Sequence, residues 1–258
     1  MTDSHSILIT GATSGIGGAL AEAYAGPGVT LALTGRHEGR LSDIAERCRN
    51  CGARVFAEAL DVTEAGPLAA WIATVDSQAP LDLVIANAGV SGGTDGGEGA
   101  EQARRIFAVN LDGVLNTVLP AMSLMQARGH GQIALMSSLA AFRGFPGAPA
   151  YCASKAAVKN WGESLRGSLR GDGLQVSVIC PGFVRSPMTD VNPFPMPLLM
   201  EVDRAAAIIR RGLARNHGRI AFPWPMYALV WLFGALPPCL TDPLFARLPE
   251  KSRLSEKI

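Results

Sequence analysis

The stretch Thr10-Gly-Ala-Thr-Ser-Gly-Ile-Gly17 decides the fold. Apolar Ile7–Thr10 runs into it and a helical pattern from Ile16 to Ala25 leaves it, so the glycines sit where a strand turns into a helix. A tight turn that leaves the N–H groups of a helix N-terminus uncovered makes a site for an anion such as a pyrophosphate, and Gly11, Gly15 and Gly17 meet that demand. The spacing is G-x-x-x-G-x-G, not the G-x-G-x-x-G of the general dinucleotide fingerprint. On this stretch alone, a glycine turn without a ligand remains the alternative.

Working outward, short apolar runs at Val29–Thr34, Arg54–Ala59, Leu81–Ala86, Gln132–Ser137 and Gln175–Ile179 read as further strands. Helical patterns at Leu41–Cys51, Glu64–Asp76, Glu101–Gln126, Ala150–Arg170 and Glu201–Asn216 fill the gaps between them. Strands alternating with helices predict right-handed crossovers, hence a doubly wound parallel α/β sheet of about seven strands with helices on both faces. The whole chain, 1–258, reads as one such domain.

Composition excludes several classes. A 48% hydrophobic fraction and a mean hydropathy of +0.21 supply a sizeable core. A net charge of +1 with no basic stripe argues against a nucleic-acid partner. Met1–Ser6 is polar and lacks the basic-then-apolar layout of a signal peptide, which predicts a cytoplasmic chain. The five cysteines (Cys48, Cys51, Cys152, Cys180 and Cys239) are odd in number and scattered, so reduced thiols and no metal site are expected. Cys48-x-x-Cys51 follows a helical stretch instead of opening one, and no second ligand pair lies nearby, which weakens its redox or zinc reading.

Tyr151-Cys-Ala-Ser-Lys155 places a phenol and an ammonium four residues apart on one helix face. A nearby cation draws a phenol toward ionisation, as proton transfer at a carbonyl oxygen requires, although many solvated pairs share this spacing. Ser138 lies thirteen residues earlier, at the C-terminal end of a strand, where open α/β sheets bind ligands.

Taken together and in order, TGxxxGIG, Asp61-Val62, Asn87-Ala88-Gly89, Asn110, Ser138, YxxxK and Pro181-Gly182 resemble the short-chain dehydrogenase/reductase family, over about residues 5–190. The resemblance implies a Rossmann-type oxidoreductase that interconverts a carbonyl and a secondary alcohol by hydride transfer. It implies Tyr151 as general acid/base, Lys155 as the cation that lowers its pKa and bonds the nicotinamide ribose, and Ser138 as the group that polarises the substrate carbonyl. Asn110 would hold a relay water, and Ser137 would be structural. The cofactor set it implies is Gly11, Thr13, Ser14, Gly15, Ile16, Gly17, Arg36, Asp61 (toward the adenine amino group), Val62, Asn87, Ala88, Gly89, Tyr151, Lys155, Pro181, Gly182, Val184 and Ser186, with Ser186 standing where the family usually has Thr.

At the end of the second strand, Leu33-Thr34-Gly35-Arg36 has glycine where NAD-preferring members carry Asp, and then a guanidinium suited to a 2′-phosphate. This favours NADP(H), with NAD(H) possible if Arg36 only solvates the loop or stacks on adenine. The apolar, proline-rich segment 186–200 reads as a substrate lid or a core-packed connection. Ser91–Gly99 reads as a mobile glycine-rich surface loop.

Residues 220–258 depart from the family pattern. Ile220–Leu240 carries no charge, and its prolines leave Met226–Leu236 as a helix too short to span a bilayer. Trp224, Tyr227 and Trp231 suit peripheral membrane contact, a substrate wall, or core and dimer packing. A homodimer through Glu101–Gln126 and Ala150–Arg170, and a lipophilic small-molecule carbonyl or alcohol as substrate, complete the expectation. The competing readings are an NAD-dependent alcohol dehydrogenase, a nucleotide-sugar epimerase of the longer branch, and a non-catalytic dinucleotide-binding regulator.

Overall fold

The structure, a computed structural model, describes residues 5–92, 98–190 and 195–245. Parts of three predicted segments lie outside them: 93–97 of the glycine-rich loop, 191–194 of the 186–200 segment, and 246–258 of the C-terminal extension.

Seven strands form one parallel sheet in the order β3-β2-β1-β4-β5-β6-β7. They are β1 (Ser6–Thr10), β2 (Thr30–Thr34), β3 (Arg54–Glu58), β4 (Leu83–Ala86), β5 (Gly131–Met136), β6 (Leu174–Pro181) and β7 (Arg219–Phe222). The order reverses between β1 and β4, which opens a crevice at their C-terminal ends. Alternation along each strand feeds two cores. Ile7, Ile9, Leu31, Leu33, Leu83 and Ile85 face one side, and Leu8, Ala32, Val84, Ile133 and Leu135 the other. Both faces are apolar because both are covered.

On the first side lie α1 (Gly15–Tyr24), α2 (Glu38–Asn50) and α8 (Val202–Ala214). The second side carries α3 (Ala65–Gln78), α5 (Gly113–Arg128) and α6 (Pro149–Ser168). A fully buried Leu or Ile in either core contributes about 1.5–3 kcal/mol. The predicted helix 101–126 is interrupted: α4 (Ala100–Phe107) and α5 are joined by a π turn over Ala108–Asp112. Asn110 lies in that turn, where widened backbone geometry often marks a site.

The C-terminal extension resolves into distinct elements. Residues 219–222 form β7, paired parallel to β6, a strand that no apolar run had singled out. Next comes α9 (Trp224–Ala235), which starts two residues before the predicted helix because Pro225 fits the first turn, where no N–H is needed. A further helix, α10 (Pro238–Phe245), follows, and α7 (Pro187–Asp190) is a single turn within the lid segment.

The height of α6 over the sheet is set by Gly162. A Cβ there would stand 2.4 Å from Leu135 Cδ1 and 2.6 Å from Val178 Cγ2. Gly162→Ala is therefore expected to destabilise by about 1–3 kcal/mol, read as a lower urea midpoint. An unchanged midpoint would show that α6 moves freely over the sheet.

Candidate active site

The chemistry-bearing side chains gather at the C-terminal ends of β1, β4, β5 and β6. At β1, Gly11 turns the chain with φ +66°, and a Cβ there would meet Ala88 Cα at 2.8 Å. Gly15 has φ +53°, and Ser186 lies directly over it, its Cβ 3.2 Å from where a side chain would begin. The N-terminus of α1 after Thr13 and Ser14 has no side-chain cap, so its N–H groups face the crevice. Ile16 packs on the first core behind the turn. A cradle that would be filled by any Cβ, backed by an uncapped helix start, fits a dinucleotide pyrophosphate.

Two glycines have packing reasons that spacing alone does not reveal. At Gly17 a Cβ would stand 2.2 Å from the Gly11 carbonyl oxygen, and at Gly35 it would stand 2.7 Å from Thr13 Cγ2. Gly35 is thus kept small by the phosphate loop itself, beyond the missing carboxylate noted above. Asn87 Nδ2 donates to the Thr10 carbonyl at 2.9 Å and to Gly11 O at 3.2 Å, while the backbone N–H groups of Asn87 and Ala88 reach Thr10 Oγ1. Asn87 therefore shapes the cradle from behind.

On the expected adenine side, Asp61 lies past the end of β3, in the following loop. Its Oδ1 accepts from the N–H and hydroxyl of Thr63, and Oδ2 stands 4.0 Å from Arg36 Nη1. Arg36 is half-exposed. Val62 and Val184 point their side chains into the two cores, which leaves their backbones to line the site. Gly182 follows Pro181 and donates its N–H to Phe222 O at 2.7 Å.

Tyr151 and Lys155 share one face of α6, with Lys155 Nζ 5.9 Å from the phenol ring centroid. Lys155 is buried and donates to Met136 O at 2.9 Å. Burial pulls its pKa down to about 8, partly offset by Cys180. Burial raises the Tyr151 pKa, opposed by a hydrogen bond from the Ser138 hydroxyl. From the sequence the ammonium is expected to lower the phenol pKa; burial instead sets the direction, upward, and Lys155 is not among the groups that oppose it. Ser138 also caps the turn Leu139–Ala141 by accepting from Ala140 N. Ser137 donates to Lys155 O at 2.8 Å and so holds α6 to β5.

Asn110 is fully buried. Its Oδ1 accepts from Val90 N at 2.7 Å, and Nδ2 donates to Val90 O and to Ser154 Oγ. Both side-chain hydrogens are thereby used, so a relay water could meet this residue only by donating, to Oδ1 or to the backbone carbonyl. Gly89 lies between Asn110 and Lys155, where a Cβ would be 3.2 Å from Oδ1 and 3.3 Å from Nζ. Every member of the predicted catalytic set is thus in one place.

Two contributors went unnoticed in the sequence. Ser154 bridges Asn110 to the Tyr151 carbonyl. Glu98, read as part of a mobile loop, accepts from the N–H groups of Ala150 and Tyr151 and so caps the catalytic helix, which has no cap of its own. Serine within YxxxK was visible as a small residue only, and no local pattern links Glu98 to a helix 52 residues away. Elsewhere, Cys48 is buried in the core and Cys51 exposed; burial pushes the Cys48 thiol up to about 11, against a redox role. A cavity of about 560 Å³ lies on the outer face of α6, lined by Phe142, Phe145, Cys152, Ala153 and Ala156, on a different face from Tyr151 and Lys155.

A dinucleotide cradle facing a tyrosine and a buried lysine defines a nicotinamide-dependent oxidoreductase acting on CH–OH and C=O groups. The chain belongs to the short-chain dehydrogenase family, whose pattern matches residues 5–193. An uncharacterized oxidoreductase of Myxococcus xanthus is 39% identical over 243 residues, covering 93% of this chain and 96% of the relative. A short-chain dehydrogenase from Sphingobium yanoikuyae solved with NADPH superposes with TM-score 0.79 at 26% identity, covering 98% of this chain and 99% of that one. One from Burkholderia phymatum solved with NAD gives 0.82 at 25% identity, covering 99% of this chain and all 100% of that one.

Two outcomes follow from the site's polar groups. Glu98→Ala should lower stability by about 1 kcal/mol in denaturant melts, with Glu98→Gln, which keeps an acceptor, close to the wild type. Lys155 is charged in the unfolded chain up to its ordinary 10.5 but loses its proton at about 8 when folded. Its burial cost is therefore present below about 8 and fades as pH rises toward 10.5. Lys155→Met should stabilise the cofactor-free chain by up to about 3 kcal/mol at neutral pH. The wild-type-to-variant difference should shrink over that window, and a difference flat with pH would contradict the assignment.

Proposed function

We propose that the protein is an NADPH-preferring reductase of an apolar ketone, with Tyr151 as proton donor. The observation that carries this reading is the placement of the Tyr151 phenol against Ser138, with the buried Lys155 on the same helix face, Nζ 5.9 Å from the ring centroid. Gly11, Gly15, Gly17 and the start of α1 would hold the pyrophosphate, Asp61 the adenine, Arg36 the 2′-phosphate, and Lys155 the nicotinamide ribose. Pro181, Gly182 and Ser186 would border the nicotinamide. When bound, the cofactor supplies the hydride that reaches the carbonyl carbon.

The residues of the chain do the rest. Ser138 orients the carbonyl by donating to its oxygen. The Tyr151 Oη proton passes to that oxygen as the C–H bond forms, leaving a secondary alcohol. The phenolate so formed is stabilised by Lys155 and regains a proton from solvent by way of the Asn110–Lys155 region. An apolar substrate is supported by the surroundings: Leu139 and Met226 stand against Gly182, and 186–200 carries further apolar side chains.

Arg36 supports the cofactor preference, since a planar fork of donors matches a phosphate. kcat/KM should be higher with NADPH than with NADH, and Arg36→Ala should cut that preference by about tenfold. A clear NADH preference in the wild type would favour the alcohol dehydrogenase reading. Tyr151→Phe should abolish turnover across a panel of ketones and secondary alcohols while NADPH binding stays intact. Normal turnover by that variant would exclude the mechanism.

The exposed apolar residues of α9, Trp224, Leu229, Trp231 and Leu232, support a reaction carried out at a lipid interface. At 12 residues that helix is too short to cross a bilayer. Co-sedimentation with phosphatidylcholine vesicles, lost in Trp224→Ser/Trp231→Ser, is the expected result. Recovery of the wild type wholly in the supernatant would remove this part of the proposal.

A further inference from the structure

Helix α9 has an inner stripe as well as an exposed outer face. Met226, Val230 and Gly234, spaced four apart, turn toward the protein, with Tyr227 beside them. Gly234 is pressed against the Phe142 carbonyl, where a Cβ would stand 2.2 Å from the oxygen. A glycine inside a helix costs about 1 kcal/mol relative to alanine, and close approach is the reason one is tolerated at this position.

The Phe142 ring is gripped from three directions. Tyr227 meets it edge-on at 5.3 Å between centroids and 66° between planes. Lys159 Nζ and Arg219 Cζ each stand 5.3 Å from its centroid. Glu163 joins those two cations, accepting from Lys159 at 3.1 Å and from Arg219, while Arg219 Nη1 also donates to the Tyr227 hydroxyl at 2.9 Å. The grip thus spans α6, β7 and α9 and closes on one side chain.

Phe142 is one short turn from the reacting group. Its N–H bonds Leu139 O, Ala141 N bonds Ser138 O, and Ala140 N bonds Ser138 Oγ. On the nicotinamide side, Met226 Sδ and Pro223 Cδ both stand 3.0 Å from where a Gly182 Cβ would lie, with Leu139 Cδ1 at 3.4 Å. The C-terminal helix therefore bears on both segments that would border a carbonyl held at Tyr151.

We propose that α9 is a positioning element of the active site, in which Gly234 and Tyr227 hold Phe142 and thereby fix the turn that presents the Ser138 hydroxyl to the substrate carbonyl. Gly234, Tyr227 and Phe142 are positioning residues, since none of them touches the reacting atoms. The proposal rests on the reading of Ser138 as the carbonyl-orienting group.

The test compares the full-length wild type with Gly234→Val, Phe142→Leu and, as a control at an exposed position of α9, Ala228→Ser. For the first two, kcat for ketone reduction at saturating NADPH should fall at least about tenfold, with the NADPH Kd from nucleotide fluorescence within about twofold of wild type. Ala228→Ser should change neither quantity. Hydrogen exchange, which needs no turnover, should show protection lost at the amides of Leu139–Phe142 and kept in β1. Wild-type kcat and protection in Gly234→Val and Phe142→Leu would overturn the proposal. So would NADPH affinity falling in step with kcat, the mark of general damage. If the wild type reduces no ketone, the functional reading fails instead, and the exchange result alone decides whether α9 holds the Ser138 turn.

Discussion

The C-terminal ends of β1 and β4 are tied together at Asn87, by its carboxamide and by the N–H groups of Asn87 and Ala88 on Thr10 Oγ1. Asn87 Nδ2 donates both hydrogens across the crevice, to the carbonyls of Thr10 and Gly11, and so locks the end of β4 to the end of β1 at the point where strand order reverses. With that contact in place, the Gly11 carbonyl stands where Gly17 must pass without a side chain. The α1 N-terminus then faces the crevice, and Gly89, two residues beyond Asn87, opens the space between Asn110 and Lys155. The nucleotide cradle and the lysine that would meet the ribose are positioned from the same short segment.

The catalytic helix is held at a cost. Lys155 is buried deeply enough that its ammonium is disfavoured, and the Tyr151 phenol is desolvated as well. Two charged or polar groups out of water beside one another lower stability, and the surrounding fastenings offset this. Ser137 holds the Lys155 carbonyl, Ser154 links Tyr151 to Asn110, and Glu98 caps the first turn. These side chains leave the helix little freedom to relax and bury its lysine less. Under the proposed mechanism, proton transfer would gain from this, because a donor and acceptor that are already oriented require no reorganisation when the substrate arrives.

The C-terminal segment shows how an apolar composition can serve two faces of one helix. Its uncharged run is ambiguous among core, membrane and substrate wall when read along the chain. In three dimensions α9 turns Met226, Tyr227, Val230 and Gly234 inward and Trp224, Leu229, Trp231 and Leu232 outward. Because both faces are apolar, no amphipathic pattern separated them. Position relative to β7 and to Phe142 separates them instead.

Much of the protein was legible from residue order. Parallel β/α alternation follows from short, continuous apolar runs between helical patterns, since each strand must bury both faces. The Tyr151/Lys155 pair follows from helical spacing, and the glycine turn from backbone demands that only glycine meets. Contacts between residues far apart in the chain were not legible: Glu98 on α6, Gly35 against Thr13, Gly234 against Phe142, and the commitment of Asn110's amide to Val90 and Ser154. Local pattern determined which side chains are the candidates for the chemistry, because spacing along a helix or strand is itself a geometry. Which groups restrain them, and how far burial moves their protons, was decided only by tertiary structure, since those depend on distances that chain order does not encode.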